Sequence, residues 1–136
     1  MSGTEHEVPL AGEERKAFDK GVAEFNRGYF FECHDTLEEV WNGLRGPSRD
    51  FLQGLIQVSV AFYHLGGGNR AGALSMMDRA LRRFAAYGGR HWGFDLAALR
   101  EEIELWRTRC RADDLAGVTL DDLPKWRFPP AGDEPR

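Results

Sequence analysis

The stretch Phe51–Leu65, FLQGLIQVSVAFYHL, decides the fold. At 100° per residue, Phe51, Leu55, Val58, Phe62 and Leu65 share one helical face, and Leu52, Ile56, Ser59 and Tyr63 share the next. The run is longer than an ordinary strand, and its polar residues recur near every 3.6 positions rather than every second one. A helix that is apolar over so wide an arc belongs in the middle of a bundle. Its remaining arc is a stripe of Gln53, Gln57, Val60 and His64. The segment falls short of the roughly 20 apolar residues that a bilayer span needs, and glutamine and histidine interrupt it.

Four further helices are expected around this one. Glu13 to about Arg27 carries an inward row of Ala17, Phe18, Val22 and Phe25, and Gly21 lets a neighbour approach it closely. Gly28 suits a turn, with Tyr29, Phe30 and Phe31 covering one end of the core. The second helix, about Glu32 to Leu44, buries Cys33, Leu37, Val40 and Leu44 beside Trp41, and GLRGPS breaks it. Ser48, Arg49 and Asp50 start the central helix over about 49–65. After GGGN, a fourth helix runs from about Ala71 to Tyr87, with small Ala73 and Ala80 on its buried side. Gly88 and Gly89 end it, and Asp95 caps a fifth helix through about Cys110. Asp121 is placed at the start of a short turn, and Leu120, Leu123, Trp126 and Phe128 are expected to drape over the bundle.

The expected architecture is therefore an all-α compact bundle of about five helices around a central hydrophobic helix. Residues 13–128 form its single domain, and residues 1–12 and 129–136 are read as flexible ends. A spacing of 40 residues brings Leu37 and Trp41 into register with Met77 and Leu81. These helical hairpins are similar to tetratricopeptide hairpins, but that family repeats at about 34 residues. Short helix connections are better supported than a solenoid.

A chain of 136 residues can bury an adequate core without a metal or disulfide staple. Cys33 and Cys110 lack ligand spacing and read as buried thiols in a reducing compartment, with one disulfide between them as the alternative. The N-terminus has neither the basic segment nor the apolar run of a secretory signal, so a soluble cytoplasmic protein with no membrane partner is expected. The net charge of −4 is uneven: residues 1–44 hold ten acids and four bases, whereas Arg70, Arg79, Arg82, Arg83 and Arg90 face only Asp78 across residues 69–94. Overall acidity argues against nucleic acid as the main partner. The charge asymmetry and the abundant apolar faces support self-association as a homodimer.

The functional clue is polar. His34 and Glu38 stand four apart, with Trp41 three further on, so all three share one side of the second helix. If that side meets the stripe on the central helix, Glu32, His34, Glu38, Gln53, Gln57 and His64 form one polar region. His34, Glu38 and His64 are the candidate ligands for a divalent metal, and Gln53 and Gln57 can orient a small polar ligand. The alternative is a structural or protein-interaction module, in which these groups satisfy one another and fix helix register. Neither an HExxH helix nor a paired ExxH arrangement is present, and no Walker or dinucleotide motif supports a nucleotide cofactor. Ser48, Ser59 and Ser75 lie outside any GxSxG context, and Cys33 diverges from His34 by about 100° around the helix. No catalytic residue is assigned.

FNRGYFFECHDTLEEVW, followed by FLQGLIQVSVAFYHLGGGNRAGA, resembles the small prokaryotic domain-of-unknown-function family numbered 309 over roughly residues 15–87. Phe25, Asn26, Gly28, Phe31, Glu32, His34, Glu38 and Trp41 match its first block; Phe51, Leu52, Gln53, Gly54, Gln57, Asn69 and Ala73 match its second. The resemblance implies an all-helical bundle and no settled biochemical activity. It says little about the chain beyond Tyr87.

Overall fold

The computed structural model describes residues 8–130. Five helices follow one another: α1 Gly12–Asn26, α2 Phe30–Gly43, α3 Arg49–Gly66, α4 Arg70–Phe84 and α5 Leu96–Arg111. A small antiparallel hairpin, β1 Arg90–His91 and β2 Phe94–Asp95, joins α4 to α5, and a 3-10 turn spans Leu120–Asp122. The molecule is an all-α bundle around the helix that the apolar run specifies. In α3, Phe51, Leu52, Leu55, Ile56, Val58, Ala61 and Phe62 are all buried. The short connections make successive helices antiparallel neighbours, so α2 and α4 both pack on α3.

Two glycines set how closely the helices meet. A Cβ on Gly54 would lie 2.4 Å from Phe84 Cε1, and one on Gly21 would lie 2.5 Å from Leu37 Cδ2. Both contacts are far below carbon–carbon van der Waals distance, so only hydrogen fits there. Side chains cap the N-termini of α4 and α5. Asn69 Oδ1 accepts from Gly72 N at 2.9 Å and Asp95 Oδ1 from Ala98 N at 3.0 Å. Arg100 donates to the carbonyls of Phe84, Tyr87 and Gly88, closing the end of α4.

Three details go beyond the sequence reading or against it. The segment after Gly89 forms the hairpin, in which Trp92 and Gly93 both hold positive φ (52° and 73°), the geometry of a two-residue turn matched to strand twist. Ser48 occupies the position before α3, but its hydroxyl makes no cap and turns inward instead. Thr119, not Asp121, begins the 3-10 turn: its backbone N donates to Asp122 Oδ2 at 2.8 Å, which pulls the Asp122 carboxyl below its usual range.

The C-terminal segment does cover the bundle. Trp126 is 1% exposed and stacks on Phe25 with 3.7 Å between ring centroids, while Phe128 stacks on Phe94 at 4.4 Å. Asn26 clamps this segment by donating to Trp126 O at 2.8 Å and accepting from Trp126 N at 2.7 Å. At the other end Leu10 is buried in the core, and Trp92 Nε1 donates to Val8 O at 3.2 Å. Of the ends read as flexible, residues 1–7 and 131–136 lie outside the described residues. No helix among the described residues is long and apolar enough to cross a membrane.

Candidate functional site

His34 sits half-buried on α2, with Nε2 3.3 Å from Glu38 Oε2 one turn along. Its Nδ1 lies 3.2 Å from Asp35 Oδ1, close enough for an ion pair but without hydrogen-bond alignment, so the buried Nδ1 has no hydrogen-bond partner. The ring, together with Phe30, Phe31, Val60, Tyr63 and His64, lines a cleft of about 130 Å³ between α2 and the last turns of α3. His64 Nδ1 faces Asn69 Nδ2 at 3.4 Å. Glu32 opens on an adjoining wider depression of about 780 Å³, which Tyr29, Phe31, Tyr63, His64 and Asn69 also line. Glu32, His34 and His64 are thus neighbours around one aromatic recess.

Gln57 belongs elsewhere. It lines a depression of about 480 Å³ walled by Asp50 and by Arg79, Arg82, Arg83 and Ala86, so its amide works against α4. Gln53, half-buried one turn earlier, lines neither recess. The stripe that is continuous in sequence therefore meets two walls, α2 at its His64 end and α4 at Gln57. Among the described residues, no three His, Cys, Asp or Glu side chains converge as a metal-binding group.

A second polar cluster is absent from the sequence reading. Ser48 Oγ and His91 Nε2 share a 2.7 Å hydrogen bond, with both residues under 5% exposed. The imidazole lies between the rings of Phe51 at 4.6 Å and Tyr87 at 4.9 Å, beside Trp92. Tyr87 closes the group: its hydroxyl accepts from Phe51 N at 2.9 Å and donates to Pro47 O. Burial pushes the Tyr87 phenol above its ordinary range. A serine–histidine pair at this distance has the spacing of a nucleophile and its base. Neither residue lines any of the recesses described, so this pair ties the hairpin to the start of α3. The signal for it was GGRHWGF, a histidine inside an aromatic turn, and periodicity is blind to turns.

Both cysteines are free and buried, as the thiol reading expects. Burial pushes the Cys33 thiol up to about 12 despite a hydrogen bond with Ser59, and it raises Cys110 as well. Neither has the thiolate character of a nucleophile at neutral pH. Trp41 is half-buried, donates Nε1 to Arg49 O at 3.1 Å, and carries the Arg49 guanidinium 3.5 Å over its ring.

Residues 18–76, from α1 into α4, match the family described as Domain of unknown function (DUF309). The helical domain matches DUF309. The curated proteins include the Uncharacterized protein YpuF of Bacillus subtilis (strain 168), 40% identical over 70 residues. That similarity covers 49% of this chain and 40% of the relative, so the chain spans about two-fifths of the length of the protein it matches. The DUF309 match contains all six sequence-selected polar residues. It ends before Arg79, Arg82, Arg83 and His91.

Proposed function

We propose that this chain is a helical interaction module that pairs with a second copy of itself through the aromatic recess, while its buried polar groups fix helix packing. One observation carries this reading. Tyr29, Phe31 and Tyr63 are 54, 51 and 50% exposed and line one recess, with the Phe31 and Tyr63 rings 5.6 Å apart. Half-exposed Leu120 extends the patch, lying against the Gly28 turn. Clustered large apolar side chains at this exposure mark a docking surface, whereas scattered ones do not.

The second copy follows from the shape of the patch. A two-fold interface needs a surface complementary to itself, with a projection beside a hole that accepts the same projection. Phe31 and Tyr63 project next to a cleft of about 130 Å³, comparable to the roughly 150 Å³ cavity that holds a benzene ring. A ring of one copy therefore fits the cleft of the other. Of the polar residues selected from sequence, Glu32, His34 and His64 line the aromatic side and Gln57 the α4 side, which supports packing and docking over a single shared ligand site. Two buried free thiols suit a reducing compartment, and the cytoplasmic location expected from sequence is part of this proposal.

The test is sedimentation equilibrium over a wide concentration range. The parent is expected to form a dimer, and Phe31→Ser and Tyr63→Ser to be monomeric with unchanged helical circular dichroism. A parent that stays monomeric throughout refutes self-association.

A further inference from the structure

We propose that the depression between α3 and α4 is a separate site for the phosphate group of a small phosphate monoester, held by Arg79 and Arg82 over Gln57. Arg79, Arg82 and Arg83 line the same recess, the first two one turn apart on α4. Arg83 is committed, since its Nη1 donates to Asp50 Oδ1 at 2.6 Å. Arg79 and Arg82 make no ion pair or hydrogen bond among the described residues, although Asp78 is next to Arg79 and one turn from Arg82; it pairs with Arg107 at 3.0 Å instead. Two unpaired guanidinium groups beside a third repel one another, and an oxyanion between them relieves that repulsion while accepting their N–H groups.

The second observation is independent of charge. Gln57 is 7% exposed, and its Oε1 is buried without a hydrogen-bond partner. A buried acceptor left unmatched costs about 1–3 kcal/mol, so such atoms in native proteins await a partner. The missing partner must be a donor. Gln57 lines the recess, and a turn of its side chain that brings Oε1 to the opening lets one group present anionic oxygens to the arginines and an O–H to Gln57. A singly protonated phosphate monoester does both, because it keeps one P–OH below its second pKa of about 6. Sulfate supplies the oxygens without the O–H. The recess, at about 480 Å³, has the size of a small-molecule site.

Titration calorimetry on the full chain near pH 6, close to that second pKa, decides the matter. Glycerol 3-phosphate and sulfate are compared in the parent, Arg79→Gln, Arg82→Gln and Gln57→Met. Arg79 and Arg82 are exposed, so their variants keep the fold, and circular dichroism verifies it for Gln57→Met. We expect the monoester to bind one per chain and more tightly than sulfate. Each variant is expected to weaken it by roughly ten- to a hundredfold, the worth of a hydrogen bond to a charged group. No monoester binding, equal binding of sulfate, or arginine variants that bind like the parent would each overturn the proposal. Capture by phosphatidic acid vesicles with no affinity for the soluble monoester would overturn it too, by reassigning the arginines to a membrane headgroup.

Discussion

Replacing Gly54 by alanine tests the closest contact in the bundle. The added Cβ would stand 2.4 Å from Phe84 Cε1 and 2.9 Å from both Cδ1 and Cζ. Comfortable carbon contacts begin near 3.5 Å, so the ring must retreat by about 1 Å. It has nowhere to go: Phe84 is 0% exposed and packs against Phe51. Overpacking of this kind costs about 1–3 kcal/mol, and the retreat demanded here belongs in the upper half of that range. Alanine in a helix interior gains back about 1 kcal/mol over glycine. The expected net loss is about 1–2 kcal/mol, or a melting temperature lower by roughly 3–8 °C for a domain of this size. Gly66→Ala, in the last turn of α3, is the control, because a Cβ there meets nothing within 4 Å. It should be neutral or stabilising. Urea unfolding followed by tryptophan fluorescence measures both. A Gly54→Ala protein as stable as the parent would mean that α3 and α4 are not in the contact described.

Other expectations concern the polar clamps and the thiols. Asn26→Ala removes two hydrogen bonds to the Trp126 backbone and should cost about 2–3 kcal/mol, with red-shifted tryptophan emission as the ring leaves Phe25. Ser48→Ala removes the hydrogen bond at Nε2 of buried His91 and should cost about 0.5–1.5 kcal/mol in the same unfolding assay; a smaller change would deny the pair its packing role. Cys33 has its thiol raised from 9.0 to about 12 in the fold, so the folded state holds that proton more tightly than the unfolded chain. Its stabilising contribution is whole below pH 9.0 and is lost as pH rises toward 12. Near pH 9.0, iodoacetamide should therefore modify Cys33 in urea but not in the native protein, and rapid native labelling, read by mass spectrometry, would contradict the burial.

The bundle was legible because helix burial leaves a period. The run from Phe51 to Phe62 needed no partner to be recognised as central, and the glycine and proline breaks, with Asp95 as a cap, gave the boundaries of the five helices to within a few residues. What escaped were contacts that repeat nothing. Asn26, at the end of α1, reaches 100 residues along the chain to Trp126, and no local pattern encodes that distance. Ser48 has the residue type of a helix cap, yet His91 takes its hydroxyl, a tertiary preference overriding a local one. The pairing of His34 with Glu38 was read from a four-residue spacing, which fixes neighbours on one helix. Which wall Gln57 would face was not, because that depends on the rotation of α3 between two other helices.

That rotation decides whether the molecule has one polar site or two. Val60 and His64 are turned to the aromatic start of α2, and Gln57, a turn earlier, to the arginines of α4; the two recesses share no lining residue. Substitutions without shared partners combine with couplings of about 0.3–0.5 kcal/mol, roughly a twofold change in affinity. Phe31→Ser should therefore abolish assembly while leaving phosphate affinity within about twofold of the parent, and Arg79→Gln should do the reverse. Calorimetry and sedimentation on the same two variants test this directly. If phosphate binding and dimerisation are lost together in both, α3 is presenting a single continuous surface, and the division of its stripe between α2 and α4 is wrong.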